Sequence, residues 1–452
     1  MTAPILIAGA GLAGALLAAQ LASRGHAVAL YERRGDMRRQ PVAAGRSINL
    51  ALAQRGWEGL KRAGAVAAVQ RYALPMRGRM IHDRSSHTQL QPYGLDADEV
   101  IWSVHRGQLN QTLLDLATAA GAELHFHSPL VAVDFEARRA TIEDAASGER
   151  RTVEFAALIG ADGAGSAVRA AMEARAPLDQ HVDVLDHSYK ELHIPPTAAG
   201  EHALDAAALH IWPRGGYMLI ALPNPDGSFT ATLFLPNEGD PSFASLSSAE
   251  HALALFQREF ADVLALIPDF VEQYAAHPVG MLGTLRCPRW SEGDAALLIG
   301  DAAHAIVPFQ GQGMNCAFED CVELLDLIEA QAGRSIAWGS IFSDFEIRRR
   351  PNAHAIAEMA LENYLEMRDA VADPRYQLRR QLELELARRL PGRFIPRYSL
   401  VMFTSLPYAQ ARERGRLQRE LLVELTDGHS TLDTLDLAAA TERARLLVEG
   451  YG

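Results

Sequence analysis

Two clusters of small and acidic residues, far apart in the chain, are the positions best suited to chemistry. The first is Gly9-Ala10-Gly11-Leu12-Ala13-Gly14; the second is Gly300-Asp301, followed by Gly311-Gln312-Gly313-Met314-Asn315. Glycines spaced as in the first cluster let the backbone turn tightly and approach a phosphate. A helix opening there aims N–H groups and the positive end of its dipole at the anion. Gly300 permits a second tight turn, and Asp301 offers a carboxylate that can accept hydrogen bonds from sugar-type hydroxyls. The loop Gly311–Gly313 leads into a helix predicted to start near Met314, a second N-terminus suited to an anion. One such motif says only that a dinucleotide binds. Two, about 290 residues apart in the chain, fit a long dinucleotide gripped at both ends, FAD. Asp301 would then meet its ribityl chain, and the second helix end its anionic reduced ring.

These residues need elements to hold them. Pro4–Ala8 reads as a buried strand, Leu12–Arg24 as an Ala- and Leu-rich helix closed by Gly25, and Ala27–Tyr31 as a strand ending at Glu32. That is a βαβ opening with an acid about 20 residues beyond the glycines. There it accepts the 2′-hydroxyl of an adenine-side ribose and repels a 2′-phosphate. Ala156–Gly160 predicts another strand, leading through Asp162-Gly163 to a helix that carries Arg169. Asp-Gly is a common turn pair; its strand–turn–helix setting adds Asp162 to the cofactor residues. Asn110–Gly121 reads as a helix preceded by Arg106.

From about Ala207 to Leu235 the runs ALHIWP, YMLIALP and TATLFLP are separated by turn signals. They predict an antiparallel sheet on which Met218, Ile220 and Leu222 share a face. After about Ser343 the chain is mainly helical and charged, interrupted by Pro391–Pro407. The expected fold class is α/β. A Rossmann-like FAD-binding domain (residues 1–75, 100–180 and 281–345) is interleaved with an antiparallel-sheet substrate domain (76–99 and 181–280), and a C-terminal helical domain (346–452) follows.

Composition bounds the function. At 48% hydrophobic and 22% charged, the 452 residues suit two or three soluble domains, and a net charge of −13 argues against nucleic acid. Cys287, Cys316 and Cys321 make no disulfide framework, which fits the cytoplasm. Neither they nor the 16 histidines show ligand spacing, so no metal site is expected. Residues 1–23 carry no charged side chain. The lack of a basic segment and the three glycines favour a nucleotide turn there over a signal peptide or anchor. No second GxGxxG exists, so a nicotinamide reductant must dock transiently. Arg79 lies between Met76, Met80 and Ile81 and reads as partly buried. A lone arginine is by default a solvated charge; a buried one needs an anion, which a substrate can supply.

The motifs in this order resemble the single-component, FAD-dependent aromatic-ring hydroxylases, the family of p-hydroxybenzoate hydroxylase. Further runs are similar to its kynurenine-hydroxylating branch: GRSINLAL (Gly45–Leu52), MRGRMIH (Met76–His82), LQPYG (Leu90–Gly94), SYKEL (Ser188–Leu192), LHIWPRG (Leu209–Gly215), VPFQGQGMN (Val307–Asn315), ALENYLEM (Ala360–Met367) and RFIPRYSLVMF (Arg393–Phe403). The resemblance implies that Gly9, Gly11, Ala13, Gly14, Glu32 and Arg33 hold the AMP half of FAD. Arg106 would lie at the pyrophosphate, Asp301 at the ribityl, and Gly311, Gly313, Met314 and Asn315 by the ring system. Arg79, Tyr93, Asn363 and Tyr398 would bind the amino-acid end of L-kynurenine. Leu209, Met218, Ile220, Leu222, Phe234, Phe309, Gln310 and Met367 would line the pocket for its aryl ketone. Gln310 departs from the family, which carries His or Phe there.

The implied reaction is NADPH- and O2-dependent hydroxylation of the ring, with oxygen activated on the flavin. The aniline nitrogen already enriches the ring, so no essential general base is expected. The polar C-terminus lacks the anchor of eukaryotic relatives, implying a soluble enzyme without membrane contact. The C-terminal helices suit either closure over the pocket or a homodimer contact. Two alternatives stay open: a hydroxylase of a phenol or benzoate, and a flavin-binding redox sensor without turnover.

Overall fold

Ile5–Ala8, Val28–Tyr31 and Ala157–Gly160 are buried along their whole length. Strands without a polar face need cover on both sides, as in a parallel sheet. The computed structural model, which describes residues 3–39, 49–85, 87–370 and 373–451, places them so. Residues 45–48 of the run Gly45–Leu52 lie outside the described residues. The sheet has six strands in the order Ser291–Glu292, Ala296–Leu298, Ala157–Gly160, Ile5–Ala8, Val28–Tyr31, Glu123–His125. Its neighbours are parallel except at the Ser291–Glu292 edge.

Register decides what this sheet presents. Ala8 pairs with Tyr31 and with Gly160, and Gly160 pairs with Leu298. The carboxyl ends of four neighbouring strands are therefore level. Gly9, Glu32, Asp162 and Gly300-Asp301 all follow at that one edge, where open α/β sheets bind their ligands.

The chain divides into two units. The first comprises Met1–Ala73, Val104–Leu185 and Gly283–Ala357; the second comprises Leu74–Ser103, Asp186–Leu282 and Glu358–Gly452. In the first, the helices Leu12–Ala22, Gln54–Arg62, Arg106–Ala119 and Gly313–Glu329 pack on one another. The Arg106 helix starts earlier than the sequence predicts. Arg106 is its first residue rather than a loop residue ahead of it, because the His105 side chain accepts a hydrogen bond from the Gln108 N–H and caps the helix there. A small antiparallel sheet of Leu130–Asp134, Arg139–Glu143 and Arg150–Glu154 was not foreseen. Its outer strands are largely exposed, and only the middle one alternates, burying Ala140 and Ile142.

The second unit is built on a seven-stranded sheet in the order Gly280–Arg286, His181–Ile194, Phe229–Pro236, Met218–Pro223, Ala208–Pro213, Gly78–His82, Thr88–Pro92. Phe229–Pro236 pairs antiparallel with His181–Ile194 and Met218–Pro223, as do Met218–Pro223 with Ala208–Pro213 and Gly78–His82 with Thr88–Pro92, whereas Ala208–Pro213 runs parallel to Gly78–His82. One face carries Trp212, Leu219, Ala221, Ala231, Leu233 and Leu192. They form a core with Phe256, Phe260 and Phe270 of the helical segment that follows. The second unit also holds helices Pro374–Arg389, Tyr408–Thr426 and Leu437–Glu449, joined through a core that includes Leu382, Leu386, Phe394 and Leu422, and the helix Arg397–Phe403, which packs on Tyr408–Thr426. Among the described residues no helix is long and apolar enough to cross a membrane.

Candidate active site

In the first unit Gly9 and Gly14 are individually required. Gly9 has φ +98°, and a Cβ on it would lie 2.6 Å from the Ala161 carbonyl oxygen. A Cβ on Gly14 would lie 2.0 Å from the Gly9 carbonyl oxygen. These two make the turn compact. Gly11 differs: nothing lies within 4 Å of where its Cβ would be. It precedes the helix Leu12–Ala22, whose start has no side-chain cap. Exposed N–H groups beside an open cradle fit a pyrophosphate. Ala13 lies in the first turn of that helix.

Glu32 is buried, with one carboxylate oxygen accepting from the Ala10 N–H (2.9 Å) and the other from the Arg34 N–H (2.9 Å). It thereby fastens the glycine turn to the end of the neighbouring strand, with acceptor capacity left for a ribose hydroxyl. Asn110 donates to the Ala10 carbonyl, 3.1 Å away. Arg33 and Arg106 are exposed.

Asp162 does two things. Its Oδ2 accepts from the N–H groups of Ala167 (2.7 Å) and Val168 (3.2 Å), capping the next helix. Its Oδ1 is buried without a partner. Burial raises the pKa of this carboxyl. A buried acceptor with no donor is costly, and a cofactor hydroxyl would satisfy it. Arg169, on the capped helix, donates to the carbonyls of Ala164 and Ala302, so it ties the Asp162 turn to the Asp301 turn. Asp301 is exposed at the start of the short helix Asp301–His304, after Gly300 at φ +55°.

Gly311 takes φ +63°, and Gly313–Glu329 begins with no side-chain cap. Met314 is buried. Asn315 is fully buried, and the main chain occupies its amide. Its Oδ1 accepts from the Ala53 N–H (2.9 Å), and its Nδ2 donates to the carbonyls of Ala51 (2.8 Å) and Gly311 (2.9 Å). It thus fastens the loop rather than reaching outward.

The residues of this unit fit FAD by these observations: an open glycine cradle, an unpartnered buried carboxylate oxygen and two uncapped helix starts. They fit no metal. His304, Cys316 and Asp320 cluster within ligand distance, but Arg349 donates to Asp320 at 2.7 Å and approaches Cys316 Sγ at 3.4 Å. A guanidinium in that position occupies the cation's place.

In the second unit, strand register sorts the pocket residues. Leu209 pairs with Arg79, Ile220 with Ile211 and Thr232, and Met218 with Phe234. Leu222 is two residues beyond Ile220. Paired and alternate residues point to one side, so Arg79, Leu209, Met218, Ile220, Leu222 and Phe234 share the face opposite the helix-packed core. Phe309 and Gln310 are buried in the turn Pro308–Gln310 of the first unit.

Arg79 is buried, and its Nη2 donates to Asn363 Oδ1 at 3.4 Å. Its guanidinium lies 4.7 Å from the ring centre of Tyr398, on which Tyr93 stacks at 5.5 Å. Asn363 Nδ2 contacts Met367 Sδ at 3.2 Å. Among the described residues Arg79 has no carboxylate ion pair, and its Nε has no hydrogen-bond partner. Burial raises the pKa of the Tyr93 and Tyr398 phenols, keeping both neutral and able to donate. A buried guanidinium short of acceptors, flanked by neutral hydroxyls, has the chemistry to receive a carboxylate. Sequence reasoning passed over Glu366 and Tyr376, whose hydroxyl donates to Glu366 at 2.5 Å. Glu366 is the carboxylate whose field reaches Arg79; its only sequence signal was its place beside Met367.

Comparison with known proteins agrees with this geometry. The sequence matches the FAD-binding-domain family over residues 2–360. It is 56% identical over 434 residues to a kynurenine 3-monooxygenase of Stenotrophomonas maltophilia, covering 96% of this chain and 94% of that one. The chain belongs to this family of FAD-dependent hydroxylases. A kynurenine 3-monooxygenase of Xanthomonas campestris pv. campestris is 55% identical over 435 residues, again with 96% and 94% covered. The fold is similar to that of 2-methyl-3-hydroxypyridine-5-carboxylic acid oxygenase, with TM-score 0.65, 22% identity, and 82% of this chain and 94% of that one covered. It is also similar to Pseudomonas aeruginosa PqsL in complex with 2-aminobenzoylacetate, with TM-score 0.65, 20% identity, and 80% and 95% covered.

Proposed function

We propose that this family member hydroxylates L-kynurenine to 3-hydroxykynurenine, consuming NADPH and O2 and releasing water. The observation that carries the substrate reading is Arg79, a buried cation with unmet hydrogen-bonding capacity beside an apolar sheet face. The named relatives support the ring chemistry. Bound FAD supplies that chemistry, accepting a hydride from NADPH and activating oxygen.

The chain's own residues bind, orient and dry the site. Gly9, Gly11, Gly14, Glu32 and Asp162 hold the adenine side, and Asp301 the ribityl. The main chain at Gly313 and Met314 faces the ring system, with Asn315 holding the loop in place. Arg79 takes the substrate carboxylate as a two-point contact, and the Tyr93 and Tyr398 hydroxyls donate beside it. Leu209, Met218, Ile220, Leu222, Phe234 and Met367 pack the aryl ketone and exclude water. The aniline lone pair activates the ring, so no side chain need deprotonate the substrate. The three free cysteines support a cytoplasmic setting.

The test is NADPH consumption by the purified yellow protein with and without L-kynurenine, with the product weighed by mass spectrometry. Stimulated consumption with one oxygen added to kynurenine is expected. Consumption without hydroxylation would make kynurenine an effector only. No stimulation would overturn the substrate and return the search to other aromatics.

A further inference from the structure

Asp320 lies midway along the helix Gly313–Glu329 and is fully buried. Its Oδ2 accepts from the Gly300 N–H at 2.8 Å and lies 2.6 Å from His304 Nε2. Its Oδ1 accepts from Arg349 Nε at 2.7 Å. Arg349 also donates to the Cys316 carbonyl (3.2 Å) and pairs with Glu319 (2.5 Å), which in turn pairs with Arg55 at 2.9 Å. Burial alone would raise the Asp320 pKa, but His304 and Arg349 outweigh it and bring it down to about 2.

Gly300 is the residue that turns the chain into Asp301, with φ +55°, and its N–H donates to a side chain rather than to a strand ladder. Asp320 is what receives that N–H. The same turn is pressed on the helix, since a Cβ at Gly300 would lie 3.1 Å from Ala317 Cβ. Hydroxyl recognition by Asp301 needs the carboxylate held in place, yet Asp301 itself is exposed, with no side-chain partner among the described residues. We infer that Asp320, clamped by Arg349 and His304, is a positioning residue for FAD. It locks the Gly300-Asp301 turn to the helix that opens at Gly313, so that the ribityl-binding and ring-facing segments form one rigid piece.

This rests on the reading of Asp301 as a ribityl ligand. The carboxylate is required by donor counting. Three donors converge on two acceptor oxygens, and an amide offers only one, so Asp320→Asn must set an N–H against an N–H.

Holoenzyme is stripped of FAD and titrated back, following flavin fluorescence and the visible spectrum. Asp320→Asn is expected to weaken FAD at least tenfold and to alter the bound-flavin spectrum, with the KM for kynurenine unchanged at saturating FAD. His304→Gln, which keeps a donor, should retain affinity better than His304→Leu; this pair carries the test if Asp320→Asn does not fold. Wild-type FAD affinity and spectrum in Asp320→Asn, even with a lowered melting temperature, would overturn the inference and leave Asp320 a stability residue. So would equal affinity in the two His304 variants. Asp301→Ala checks the underlying reading separately: unchanged affinity there would remove the ribityl role.

Discussion

In the function proposed above, the nucleotide edge of the first unit and the sheet face of the second recognise ligands in opposite ways. At the nucleotide edge the recognising groups are main-chain atoms and short carboxylates, placed within a few residues of a strand end. On the sheet face they are long side chains, Arg79, Tyr93, Asn363 and Tyr398, gathered from three stretches of sequence. The first arrangement tolerates almost no change of backbone volume. The second tolerates changes of shape but not of charge. A pyrophosphate and its sugars need close backbone approach, while an amino-acid carboxylate needs a cation whose geometry can match it.

The largest effect should come from Gly14→Ala, whose new methyl would meet the Gly9 carbonyl oxygen at 2.0 Å. We expect a loss of about 3 kcal/mol or more in apoprotein stability, seen as a lowered melting temperature, together with loss of FAD. Gly11→Ala sharpens the contrast, because its methyl enters open space. It should melt like the wild-type apoprotein yet bind FAD poorly; normal FAD binding would show that the cradle is not used.

Arg79→Ala should cost about 2–4 kcal/mol in kynurenine binding by calorimetry and leave FAD affinity unchanged. Wild-type kynurenine affinity would break the comparison outright.

The helix-packed side of the same sheet makes a pH prediction. His210 is buried, accepting or donating to His82 at 2.8 Å, with its Nε2 2.9 Å from the Asp205 carbonyl. Burial lowers its pKa to about 4. The unfolded chain takes up the proton first, so this residue's contribution is present above about pH 6.5 and is lost as pH falls toward 4. At most about 3 kcal/mol is involved. Equilibrium denaturation at pH 7 and pH 4.5 should show a smaller acid loss in His210→Gln; an identical loss would remove the assignment.

Tyr398→Phe should have the smallest effect. It keeps the ring beneath Arg79 and removes one hydroxyl, for about 1 kcal/mol in kynurenine binding.

Much of the nucleotide edge was legible because its chemistry is local. A strand, a glycine turn and an acid at the next strand end are close in sequence, and backbone constraints leave few residue types able to make them. Arg79 was legible as a candidate from its apolar neighbours, and Met218, Ile220 and Leu222 from the two-residue period. The Arg106 helix was placed late, since histidine capping carries a weaker signal than Ser or Asp. The parallel pairing of Gly78–His82 with Ala208–Pro213, and the joining of Asp320 to Gly300, His304 and Arg349, leave no periodic trace in the chain.

The sequence by itself determined the βαβ opening, the two turns suited to a dinucleotide and the alternating strands, because each follows from local sterics and hydrophobic period. Only the tertiary structure decided three further things. It levelled four strand ends so that Gly9, Glu32, Asp162 and Asp301 share one edge. It buried Arg79 among Asn363, Tyr93 and Tyr398 with no carboxylate pair among the described residues, and it spent the Asn315 amide on the main chain. The physical reason is that hydrogen-bond satisfaction in a buried place depends on which distant residues arrive there, and pairing register and packing fix that.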